Sequence, residues 1–366
     1  MKTKKERNKT FALLSAFGII FVVAGHADFG IFDVAGLFPY YAFHVPLFVF
    51  ISGYFYREEA EQNIGTFLRK KAKRLLLPYF LWNVFYGVLV TILGKFGFAF
   101  GQPISLKTLI FDPVVGGGHQ FGLNFAAWFV PILFIIEVFY LCIHKLTKWL
   151  GTYQDWILSV GTLAVGILTV YAAIGGHVWG YYKFPGRILF LLPTFAWGYL
   201  YKKKLEQKDI LPTIWYMSIL FLVQYLISLS GKGMAYSAVW CTGFAGGPFL
   251  PYITTFTGIA FWLRIAKIIS PAIPKNGILD TISRHTYSIM LHHITGFFIL
   301  KSFFFFASQR GWFLDFDKMA YFQDYAYAYL PKGIEAGKWL YLLIGLGFPI
   351  LVDYVGSLLK QVPKRT

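Results

Sequence analysis

Residues 11–57 read FALLSAFGIIFVVAGHADFGIFDVAGLFPYYAFHVPLFVFISGYFYR, and they decide the fold. Two apolar runs, 11–28 and 37–56, flank a short turn that carries Asp28 and Asp33. As a helix, each run has the length that crosses a hydrocarbon core of about 30 Å, so the pair predicts a transmembrane hairpin. Each run also holds one histidine inside an otherwise apolar segment, His26 in the first and His44 in the second. An ionisable ring at membrane depth is costly to keep, which makes both residues candidates for function.

The same texture continues to the end of the chain. Of its 366 residues, 57% are hydrophobic and 14% charged, far from the balance of a soluble domain. Eight further apolar runs fall at 75–94, 126–144, 156–174, 187–201, 211–230, 248–267, 281–303 and 338–358. No strand alternation or internal repeat competes with them. The expectation is an all-α polytopic membrane protein of about ten transmembrane helices in one domain, 1–366. The basic opening, MKTKKERNKT, would suit a signal peptide, but the first run reads equally as a retained anchor.

A net charge of +17 would suit a nucleic-acid partner, and its placement argues against one. With the N-terminus inside, 24 of the 34 lysines and arginines fall in inner segments. That is the positive-inside pattern, and it predicts both termini in the cytoplasm of a cell-membrane protein whose partner is the bilayer. Cys142 and Cys241 fall near opposite faces, which argues against a disulfide.

Helix rise converts position into depth, at about 1.5 Å per residue. Counted from the span ends, His26, His44 and His293 all lie about 18–22 Å above the inner boundary. His292 and His293 face about 100° apart, so one of the two points inward. A desolvated, neutral imidazole is the form a general base needs. No His-x3-His or cysteine pair within a span favours a metal, and none is expected. Glu137, midway along the fourth span, is a candidate for fixing a ring's tautomer, and replacing His144 near that span's inner end is expected to be nearly silent for acyl transfer.

On the first helix Ser15, Gly18, Val22 and His26 share one stripe, which suits either a slender ligand or close helix packing. The inner tract holding Arg69, Lys70, Lys71, Lys73 and Arg74 reads as an anchor on anionic lipid, as a cradle for the phosphates of a cytosolic donor, or as both. The outer loops, among them GGGHQFGLN around His119, are long and aromatic and carry carboxylates. They suit a sugar or polyol acceptor, or an interfacial belt.

The segments VVAGH…FHVPLFVFISGYFY, LRKKAKRLLLPYFLW at 68–82, AAWFVPILFIIEVFY at 126–140, RILFLLPTFAWGYLYKK at 187–203 and TYSIMLHH at 286–293 together resemble the acyltransferase-3 family of integral membrane acyltransferases. The resemblance covers nearly the whole chain and rests on the order and spacing of these pieces. It implies a ten-helix enzyme that passes an acyl group, commonly acetyl, from cytosolic acyl-CoA to a hydroxyl of an extracytoplasmic glycan, lipid-linked sugar or other envelope molecule. The family's first-span histidine matches His26, and its late Tyr-Leu-Leu-His motif places its histidine on His293, with Met290 where tyrosine is common. Many members carry an arginine eleven positions before the first histidine. Here that position is Ser15, which leaves Lys9 or the 69–74 tract to meet the donor's phosphates. A transporter or flippase of an envelope precursor, and a non-catalytic member of the family, are the alternatives. Release of CoA thiol separates either from an enzyme.

Overall fold

The computed structural model describes residues 7–27, 30, 34, 36–115, 121–178, 182–332, 334 and 336–361. Helices dominate it, and the described residues contain no β-strand beyond isolated bridges. Among the described residues, ten apolar helices match the ten expected runs. They are α1 (Lys9–His26), α2 (His44–Tyr54), α3 (Ile64–Lys95), α4 (Phe129–Leu146), α5 (Gln154–Ile174), α6 (Lys183–Leu200), α7 (Thr213–Leu229), α8 (Leu250–Ile269), α9 (Thr286–Ser308) and α10 (Gly337–Gln361). Seven of them are long and apolar enough to cross a membrane; α2 and α7 are shorter, and α6 carries Lys183 and Arg187 in its first turns. The protein is an all-α, multi-pass membrane protein. The turn at Asp28 and Asp33 and the outer-loop His119 lie outside the described residues.

Two boundaries differ from the sequence reading, each for a local reason. The second run is α-helical only from His44. Before it, Phe38 takes a left-handed backbone with φ 55°, and Pro39 follows. A residue ahead of proline is kept out of the α region, so the helix cannot start there. The third run begins earlier than expected: one helix continues from Ile64 to Lys95 through a π turn at Ala72–Leu76. The basic tract is therefore helical, and its five cations are spread around the helix rather than gathered on one face.

The ends of helices assigned to one side meet one another. On the inner side Arg7 reaches Asp280, Tyr54 donates to Glu206, Arg264 and Lys267 pair with Asp209, and His285 meets Asp353. On the outer side the Phe100 carbonyl accepts from Gly122 N–H, and Lys301 Nζ donates to the carbonyls of Asp324 and Tyr325. Within the bundle α2 and α6 touch backbone to backbone. A Cβ on Gly53 would lie 2.0 Å from the Phe195 carbonyl oxygen, and one on Gly198 would lie 2.2 Å from that of Phe50. Glycine at both positions permits this approach, as in other small-residue membrane interfaces.

Candidate active site

A cavity of about 800 Å³ runs along one face of α2. His44, Val45, Phe48, Ile51, Ser52 and Phe55 line it, so it follows that helix for eleven residues, about 16 Å. At its inner end stand Lys71 and Arg74 from α3, with Thr286 and Tyr287 from the start of α9. At its outer end stand His26, Tyr41, His44, Phe125 and the loop residues 237–240. Between these ends the wall is mostly apolar, with Ile19, Val22, Phe129, Leu133 and Met290, and is interrupted by Ser52 and Glu137.

The structure brings His26 and His293 into contact. His293 Nε2 lies 2.9 Å from His26 Nδ1, and the rings sit 4.9 Å apart. Hydrogen-bond partners assign the protons. His293 Nδ1 lies 2.8 Å from the Ile289 carbonyl oxygen, which can only accept, so that nitrogen carries the hydrogen. In the neutral pair His293 Nε2 is then the acceptor, and His26 Nδ1–H donates to it. The basic lone pair of the relay therefore falls on His26 Nε2, on a residue that lines the cavity. Phe125 packs edge-on against the His26 ring at 5.4 Å, and Tyr325 lies over Phe125.

His44 uses the same device. Its Nδ1 donates to the carbonyl of Tyr40, four residues earlier, at 2.7 Å. It shares the cavity with the pair and contacts the Tyr41 ring at 5.2 Å, while the Tyr41 hydroxyl donates to the Gly25 carbonyl. His292 points away, as the helical geometry predicts: its Nδ1 is 2.7 Å from the Tyr86 hydroxyl, and its ring packs on Trp82.

Several expected roles need correction. Glu137 fixes no imidazole, because main-chain carbonyls do that work for His44 and His293. Its Oε1 instead accepts from Ser52 Oγ at 2.5 Å and pairs with Lys71 Nζ at 2.6 Å. Ser15 does not line the cavity; its hydroxyl donates to the Phe11 carbonyl one turn back. Gly18 sits against Leu47 and Phe48, so the small-residue stripe is in part a packing face between α1 and α2. Of the basic tract, Lys71 and Arg74 line the cavity, three residues apart on one helical face. Arg69, Lys70 and Lys73 are exposed and line no part of it.

His144 does not line the cavity, and its contacts are with acids instead. It is 1% exposed and lies between two carboxylates, with Nδ1 2.6 Å from Glu61 Oε1 and Nε2 3.5 Å from Asp155 Oδ1. Tyr56 donates to the same Glu61 oxygen, and Lys148 pairs with the other. Burial pushes the Glu61 carboxyl up, but hydrogen bonds from Lys148 and Tyr56 and the neighbouring His144 outweigh it, and the net shift is downward. This cluster ties together the inner ends of α2, α4 and α5, away from the cavity.

Fold and site together define a multi-pass helical membrane protein with a histidine relay facing a cavity that has cations at its opposite end. The model of the acyltransferase domain of the acyltransferase-3 family matches residues 11–355, and the chain belongs to that family. Membership supports an acyltransferase. The comparisons with curated proteins and with solved structures find no match.

Proposed function

We propose that the protein is a cell-membrane O-acyltransferase, with acyl-CoA as donor and a hydroxyl of an extracytoplasmic glycan or other envelope molecule as acceptor. Acetyl is the acyl group favoured by family membership. The observation that carries this reading is the continuity of one cavity from Lys71 and Arg74 to His26. Cations at the inner mouth suit the donor's phosphates, and the narrow apolar passage suits its thioester arm. Arg69, Lys70 and Lys73, exposed on the same helix, add to the local positive field.

In this reading the acceptor hydroxyl approaches from the outer loops and gives its proton to His26 Nε2. Its oxygen bonds to the thioester carbonyl carbon. As the carbon–sulfur bond breaks, the His26 imidazolium returns the proton to the departing thiolate. An ester and CoA thiol result, and the site ends in its starting protonation state. His293 keeps His26 in the productive tautomer and shares the transient positive charge. His44 orients the acceptor. No metal is required by this sequence of steps.

His26→Ala is expected to lower turnover by about 10²–10⁴-fold, the usual worth of a general base, at matched melting temperature. The assay is CoA thiol release with purified protein and envelope acceptor, alongside acylation of envelope polymers in cells. Turnover close to that of the unaltered protein would place the chemistry elsewhere.

A further inference from the structure

Glu137 is a carboxylate held at 3% exposure in a largely apolar passage, and it is only half used. Ser52 and Lys71 both engage Oε1, while Oε2 has no hydrogen-bond partner among the described residues. An unsatisfied buried carboxylate oxygen is costly, and its presence calls for an explanation. The carboxylate plane turns readily about its last torsion, so either oxygen can be offered to the cavity that Glu137 lines. As the carboxylate partner of Lys71, it accepts hydrogen bonds. Its missing partner must therefore bring an N–H or an O–H.

We propose that Glu137 and Ser52 form a hydrogen-bonding station for the amide arm of acyl-CoA. This rests on the acyl-CoA reading above and adds the part of the donor that is recognised. Ser52 lies eight residues along α2 from His44, about 12 Å below the histidine layer. An extended chain advances about 1.2 Å per bond, from about 3.5 Å for the three bonds of an extended residue. With the thioester carbonyl carbon at His26, the arm's distal amide nitrogen is eight bonds away, about 10 Å, and its secondary alcohol carbon ten bonds away, about 12 Å. Both groups donate hydrogen bonds, and both arrive level with Ser52 and Glu137. Four further bonds, about 5 Å, bring the diphosphate level with Phe55, at the end of the cavity where Arg74 stands. Lys71 neutralises the carboxylate, which keeps the station from repelling those phosphates. The distal amide, the alcohol and the diphosphate thus meet polar side chains at the two depths where the passage has them.

Equilibrium binding tests this without turnover, using CoA, pantetheine and the arm-free nucleotide 3′-phospho-ADP on detergent-purified full-length protein. Glu137→Ala is expected to weaken CoA and pantetheine by about tenfold to a hundredfold, the range for a hydrogen bond to a charged group, and not to weaken the nucleotide. Ser52→Ala removes no charge and should weaken the same two ligands several-fold; it decides the matter if Glu137→Ala does not fold. Equal weakening of CoA and nucleotide, or CoA binding that ignores both substitutions, overturns the station. Normal turnover in His26→Ala would instead sink the transfer chemistry and leave this binding result standing.

Discussion

At the scale of single residues, the site depends on where protons sit. Two rings in contact could share hydrogens in several ways, and the Ile289 carbonyl selects one by claiming the hydrogen on His293 Nδ1. That leaves His293 Nε2 to hold His26 in the tautomer whose Nε2 is basic. His293→Phe keeps bulk and removes the acceptor. It is expected to lower kcat by about 10- to 100-fold, the typical cost of losing a group that orients another, with KM for the donor unchanged and a shifted pH profile. His44→Ala should cost less, since His44 lies in the cavity without touching the pair. Equal losses for both substitutions, together with a raised KM, would make His293 a wall residue. The depth argument places all three rings in one layer; the structure puts His26 and His44 on the cavity and His293 behind His26, in contact with it. The carbonyl partners could not be foreseen. They depend on ring rotamers against the preceding turn, which position alone does not specify.

At the scale of elements, the π turn in α3 sorts the basic tract. Lys71 and Arg74 reach the cavity, while Arg69 is exposed outside it. Arg74→Gln is expected to raise KM for acyl-CoA several-fold and to weaken its salt dependence, because a contact charge is lost. Arg69→Gln removes the same charge from the background field and should do less. Steady-state kinetics at two ionic strengths decide it, and an unchanged KM with only membrane insertion or abundance reduced would point to lipid anchoring. The sequence shows five cations in six positions and the apolar runs around them. It does not show which two share a face with the passage, because the added residue of a π turn carries no compositional mark. The late start of α2 was legible in principle from Pro39, but an unbroken apolar run concealed it. The Glu61 cluster was missed because His144 and its acids come from three segments. Its expected signature is an acid limb. Glu61 has a carboxyl held below its ordinary value of 4.5, so its contribution to stability is present above that pH and lost as pH falls through the lower folded value. Glu61→Gln should lower the melting temperature at pH 7 and flatten its decline below pH 4.5. An unchanged acid limb would show that Glu61 is not what titrates.

At the scale of the whole molecule, the glycine contacts brace α2, which lines the passage, against α6 behind it. Backbones that touch at Gly53 and Gly198 leave little room for sliding, so adjustments for a ligand fall to α3, α4 and α9 on the other side. The apolar stretch between Glu137 and His26, with Val22, Phe129 and Leu133 around it, has a further consequence, this one electrical. A charge carried across a membrane works against the resting voltage, at about 2.3 kcal/mol per 100 mV. An acetyl group is neutral, and in the proposed reaction the proton taken from the acceptor goes back to the thiolate at the same depth. Nothing charged traverses that stretch in net. Turnover in proteoliposomes should therefore be indifferent to a potassium diffusion potential of either sign, whereas a rate that follows the voltage would show that ions travel with the acyl group. On the proposed reaction, the greasy middle of the passage is an insulator, and a cell that decorated its exterior through it would not discharge its own battery.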